Sequence, residues 1–160
     1  MSVFKTTFSR ALQVYPSQYP IPNPFVLTTG VQTDESSILV SPSSNFITNG
    51  VSPGDVIYVY DDGGNFNSIT QVTGIISESE AQVANPIAVD WSFVIYQQSA
   101  MSGLGNQGCY LYVGGTGTLV VTTIGGDSVT FAGVAAGTVL PVQVLKLEEP
   151  STATLVIALW

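Results

Sequence analysis

Histidine is absent from the 160-residue sequence, and cysteine occurs once, as Cys109. Without imidazole, the Ser-His and Cys-His nucleophile arrangements are excluded, and so are the commonest proton shuttle and the commonest metal ligand. The lone thiol can form no intrachain disulfide, which agrees with a reducing cytoplasm. Charge is equally scarce, at 9% of residues against roughly 25% in ordinary soluble domains. Lys5, Arg10 and Lys146 are the only basic residues. No cationic stripe can therefore neutralise phosphates, which argues against nucleic acid as a partner. The most apolar stretch, residues 131–142, is broken by Gly133, Gly137, Thr138 and Pro141 and falls short of the roughly 20 residues of a spanning helix. No membrane association is expected. Residues 1–12 hold Lys5 and Arg10 with no apolar core between them, so no signal peptide is expected and folding in a cytoplasm is.

What is present is a 45% hydrophobic chain whose polar share is carried by Ser, Thr, Asn, Gln and Gly. That mixture suits strands, turns and dry contact surfaces better than exposed helices. Strands are expected over residues 25–29, 37–40, 55–60, 68–76, 80–84, 92–97, 109–113, 117–123, 128–131, 138–146 and 153–159, which are rich in Val, Ile, Thr, Tyr and Phe. Ser52-Pro53-Gly54, Asp61-Asp62-Gly63-Gly64-Asn65, Gly114-Gly115-Thr116-Gly117 and Gly125-Gly126-Asp127 supply turn chemistry between them. The expected fold is all-β, a jelly-roll-like β-sandwich of short antiparallel strands with an extended N-terminal arm. The expected division is an arm over residues 1–30 and a sandwich over 31–160, with a sub-boundary near 98–108. Only residues 4–15 tolerate a helical reading.

The arm is set apart by charge. Residues 1–30 carry +2, residues 31–100 carry -8 and residues 101–160 carry -2. Pro16, Pro20, Pro22 and Pro24 bias the segment toward extended structure. Phe4, Phe8, Leu12, Tyr15, Tyr19 and Phe25 give it too much apolar surface to float free. It lies on its own domain, as an edge strand for instance, or on a neighbouring subunit. The expectation for function is the second: Phe4, Phe8, Tyr15 and Tyr19 anchor it on an adjacent subunit, with Lys5 and Arg10 orienting it and Trp160 contributing to docking. Val56-Ile57-Tyr58-Val59-Tyr60 and Leu155-Val156-Ile157-Ala158-Leu159-Trp160 are apolar on both faces. Their second face needs cover, from another subunit or from the arm, and a homo-oligomer is expected.

No constellation for chemistry emerges, and the chain is expected to be no enzyme and to need no cofactor or metal. A carboxylate pair for glycoside hydrolysis is conceivable among eleven acids. The Asp61–Asn65 cluster lacks the calcium-loop spacing and reads as a turn. The glycines of Gly114-Gly115-Thr116-Gly117 precede a strand, not a helix, and make no dinucleotide fingerprint. Cys109 has no basic neighbour and reads as a buried thiol. Trp91 and Trp160 are the candidates for sugar stacking, against packing in a core or interface.

The run Gly108-Cys109-Tyr110-Leu111-Tyr112-Val113-Gly114-Gly115-Thr116-Gly117, then Gly125-Gly126-Asp127-Ser128-Val129-Thr130-Phe131 and Gly137-Thr138-Val139-Leu140-Pro141-Val142, resembles small tailed-phage virion proteins. The ending Thr152-Ala153-Thr154-Leu155-Val156-Ile157-Ala158-Leu159-Trp160 adds to the likeness. The nearest family is the head-spike base protein of phages and gene transfer agents. That resemblance implies a jelly-roll-like sandwich on the capsid exterior, a cement, decoration or spike-base role, the major capsid protein or other virion proteins as partners, and assembly in the host cytoplasm. A tail, baseplate or adhesion component and a glycan-binding module are the alternatives. Residues 31–100 depart from the family; Gly50-Val51-Ser52-Pro53-Gly54-Asp55-Val56-Ile57-Tyr58-Val59, with Gln71-Val72-Thr73-Gly74-Ile75-Ile76, resembles a small barrel-like repeat of phage structural proteins.

Overall fold

In the computed structural model, which describes residues 7–98 and 108–160, the alternating pattern resolves into thirteen β-strands with no α-helix among the described residues. In chain order they are β1 Ala11–Gln13, β2 Val26–Val31, β3 Ile38–Val40, β4 Val56–Tyr60, β5 Phe66–Ile75, β6 Glu80–Val83, β7 Ser92–Tyr96, β8 Tyr110–Gly115, β9 Gly117–Thr123, β10 Ser128–Val134, β11 Thr138–Val139, β12 Val144–Leu147 and β13 Thr154–Leu159. Every strand pairing is antiparallel. The class is all-β and sandwich-like, as composition and turn spacing imply. Two elements differ from expectation. The helix-tolerant window holds β1, and the single strand expected over 138–146 divides around Pro141, which has no N–H to give a ladder.

The chain forms two compact units, a central one of Phe25–Gly105 and a terminal one of Met1–Pro24 with Asn106–Trp160. This differs from an arm of 1–30 and one domain of 31–160, because β1 pairs with β13 and so ties the two chain ends together. Residues after Pro24 pair instead as β2 in the central unit. The second boundary falls inside the 98–108 stretch.

The central unit is one six-stranded sheet in the order β2-β7-β4-β5-β6-β3. It curls so that the chain just past β2 reaches β3, where the Thr33 N–H donates to the Val40 carbonyl at 3.0 Å. Gln32, fully buried, closes the same seam: its amide donates to Ile38 O (2.9 Å) and accepts from the Val40 N–H (2.6 Å). Leu39, Phe46, Ile57, Val59, Val72, Phe93 and Ile95 fill the interior. Gly30 gives room to the Ser41 and Ser44 hydroxyls and to the Phe93 ring, since a Cβ there would clash with both hydroxyls and lie 2.7 Å from the ring. Val56, Ile57, Tyr58 and Val59 of β4 are all buried. Ile57 and Val59 face the core, while Tyr58 meets Tyr96 and Phe66 edge-on at 5.0 and 5.9 Å. Both faces of β4 are thus covered within one chain, so this strand does not call for a second subunit.

The terminal unit has two sheets, ordered β1-β13-β8-β11 and β10-β9-β12. β8 ends at Gly115 and β9 starts at Gly117, so a single bend at Thr116 carries the chain from one sheet to the other. Leu111, Val113, Val156 and Ala158 of the first sheet and Leu119, Val121, Val144 and Leu147 of the second share one core. β13 alternates, with Val156 and Ala158 buried and Ile157 and Leu159 half-exposed.

Two substitutions test the central seam. Gln32→Ala strands the Val40 N–H and should cost about 1–3 kcal/mol in urea unfolding. Gly30→Ala drives a methyl into the Ser41 and Ser44 hydroxyls and the Phe93 ring and should cost about 1–3 kcal/mol. Wild-type stability in both variants would show that the sheet is held closed elsewhere.

Candidate docking surface

The four prolines remove four N–H donors from the N-terminal segment, and several of the others pair with strands of the same chain. Ala11, Leu12 and Gln13 pair with Leu159, Ala158 and Ile157. Ser9 N–H donates to Trp160 O at 2.7 Å, Trp160 N–H to Arg10 O at 3.0 Å, and Val14 N–H to Val156 O at 2.9 Å. Past Pro16 the segment crosses to the second sheet, where the Ser17 and Ile21 N–H groups donate to Leu147 O (2.9 Å) and Leu145 O (2.8 Å) of β12. Val14 and Ile21 are buried in the core of the terminal unit.

Among the expected docking residues, Phe8, Arg10, Tyr19 and Trp160 have contacts within their own chain. The Phe8 ring lies 5.7 Å from that of Tyr110. The Arg10 guanidinium donates to Pro24 O at 3.1 Å. Tyr15 is half-buried, and desolvation of its phenol raises its pKa. Tyr19 is half-buried beside a turn in which its N–H donates to Ser17 Oγ at 3.1 Å. Trp160 packs against the core. Phe4 and Lys5 lie outside the described residues. A carbonyl on the same chain is reached without the association cost that a neighbour's would carry.

Beside β1 runs a groove of about 340 Å³, lined by Gln13–Pro16 on one side and Ser151–Val156 on the other. Leu155 stands out of it, 63% exposed and held at φ 50°. A branched side chain in the left-handed region is unusual. Gly114, opposite it in the ladder, leaves the room it needs, since a Cβ at Gly114 would fall 2.7 Å from that of Leu155. Hydroxyl, amide and apolar groups line the groove, with the Tyr15 phenol as the one ionisable side chain among its lining residues.

Elsewhere the polar groups have structural duties. Burial pushes the Cys109 thiol up to about 12, far from a reactive thiolate. Asp61 accepts from the Asn65 N–H at 2.8 Å and so closes the β4–β5 turn, which holds its carboxyl below the usual range. Glu78 accepts from the Thr48 hydroxyl (2.6 Å) and from the Thr48 and Ile47 N–H groups, with the same consequence. Glu148 accepts from the Thr122 hydroxyl and pairs with Lys146 at 3.1 Å. Trp91 packs on the central core. Among the described residues no three His, Cys, Asp or Glu side chains gather as a metal site, and no helix is long and apolar enough to cross a membrane.

Charge separates cleanly between the units. The terminal unit holds Lys5, Arg10 and Lys146 against Asp127, Glu148 and Glu149, a net of zero, while the central unit holds eight acids and no base. Sequence reasoning passed over Leu155, whose φ leaves no trace in composition. It also passed over β10 as a surface, although seven residues without charge or proline were a usable signal. No family model, curated protein or solved structure matches the chain.

Two measurements follow. Val14→Ala should destabilise the terminal unit by about 2 kcal/mol; an unchanged melting temperature would put the segment outside the core. For Glu78, a folded pKa below the ordinary 4.5 means that its stabilisation is present above that value and lost as pH falls through the lowered one. The melting temperature should therefore drop on acidification from about pH 6 to about pH 3, and less steeply in Glu78→Gln. Equal slopes would remove Glu78 from the account.

Proposed function

We propose that the protein is a non-enzymatic virion structural protein, a cement, decoration or head-spike base component on the capsid exterior that acts through contacts with the major capsid protein or another virion protein. The observation that carries this reading is the partition of charge: a neutral sandwich-like unit joined to a unit bearing the whole net charge of -8. A neutral surface of Thr, Ser, Val and Gly can lie dry against a protein shell without burying unpaired ions. An acidic companion keeps coated particles soluble and mutually repelling. The motifs that resemble the head-spike base family all lie within the terminal unit. The jelly-roll-like connectivity implied by that resemblance belongs to this proposal.

The test is electron microscopy of particles assembled with a labelled copy. Label over the capsid shell, retained in about 0.5 M salt because the docking unit is uncharged overall, is the expected result. Label confined to a tail or baseplate, or absent from particles, would overturn the capsid reading, and turnover abolished by neutralising a single Asp or Glu would overturn the non-enzymatic one.

A further inference from the structure

An outermost strand turns half of its N–H and C=O groups away from its sheet, where another chain can take them up. Most edges of this protein are protected. β1 is three residues long, flanked by Arg10 and Pro16. β11 is two residues long and stops before Pro141. The outer carbonyls of β12 accept from Ser17 and Ile21. Just past β2 the Thr33 N–H donates to Val40 O of β3, and the Ser44 hydroxyl donates to Thr29 O of β2 at 3.1 Å. β10 stands apart. It is a seven-residue edge, Ser128–Val134, with no charge, no proline and no neighbour beyond β9 among the described residues.

The register says which groups it offers. The Thr123 N–H donates to Asp127 O at 2.9 Å, so Thr123 and Asp127 form a hydrogen-bonded pair. Alternation then makes Val129 with Val121, and Phe131 with Leu119, the bonded pairs. Ser128 and Thr130 turn both backbone groups to solvent, followed by Ala132 just before the bulge between Phe131 and Val134. Val129 and Phe131 share the face of buried Val121 and Leu119 but are themselves half-exposed, so the core is left open along this flank.

We propose that β10 is a homodimerisation edge, pairing antiparallel with β10 of a second copy about a two-fold axis at Thr130. In that register Thr130 and the partner's Thr130 exchange reciprocal N–H···O bonds, and Ser128 lies against the partner's Ala132. Val129 lies against the partner's Phe131 and extends the apolar face across the junction. Charge favours a second copy as the occupant. Residues 128–134 are uncharged and their unit is net neutral, so self-pairing brings no like charges together. Two copies meeting through their central units would set eight acids against eight. The inference needs only the geometry of the terminal unit and stands apart from the virion reading.

Sedimentation of the intact protein over a roughly hundredfold concentration range tests it. Wild type should pass from monomer to dimer. Thr130→Lys places like charges face to face across the axis, and Thr130→Pro removes an outward N–H that β9 does not use. Each should weaken association at least about tenfold, with unchanged circular dichroism for Thr130→Lys in particular. Thr130→Cys should form an intermolecular disulfide on mild oxidation, since facing Cα atoms in a bonded pair lie about 5.5 Å apart; Ser128→Cys should not, and buried Cys109 stays out of the reaction. A wild type that remains monomeric, a dimer indifferent to Thr130→Lys, or cross-linking through Ser128→Cys in place of Thr130→Cys would overturn the proposal.

Discussion

A buried or half-buried sheet edge must find partners for its N–H and C=O groups, and this requirement organises the terminal unit. The segment before Pro24 meets it twice. As β1 it extends the sheet beyond β13, and with the N–H groups of Ser17 and Ile21 it takes the outer carbonyls of β12. Between these contacts Val14 and Ile21 enter the core. The prolines are compatible with this role because the segment needs only a few donors, at spaced positions, and a chain that stays extended. The two ends of the polypeptide thus build one unit, and the intervening residues 25–105 form another with its own core.

The same requirement explains what could be read from the sequence. Strand class and turn positions were legible because Val, Ile and Thr alternation and the Asp61–Asn65 and Gly125-Gly126 clusters act locally. The destination of the N-terminal segment was not. An extended, aromatic, proline-punctuated chain donates equally well to a carbonyl of its own sheet or of a neighbour's, and only the positions of Leu145, Leu147 and Val156 in space decide between them. The doubly apolar β4 misled for a related reason: the second face of Tyr58 is covered by Phe66 of the neighbouring hairpin strand and by Tyr96, thirty-eight residues further along the chain. Pro141 was a readable break between β11 and β12, whereas the positive φ of Leu155 and its dependence on Gly114 were invisible.

Charge follows the folding unit and not the linear segment. The +2 of the N-terminal stretch is set in one unit with the -2 of the C-terminal third, and every remaining acid falls in the central unit. A net-neutral, hydroxyl-rich unit is thus joined in one chain to a strongly acidic one. The acids with lowered pKa values hold turns and loops.

The central claim, that the N-terminal segment is an integral part of the unit made by the C-terminal third, is tested most directly by amide hydrogen exchange on the intact protein. The N–H groups of Val14, Ser17 and Ile21 should exchange as slowly as those of β13, because all open only when the terminal unit unfolds. Exchange of these three at the rate of a free chain, with β13 still protected, would contradict the account.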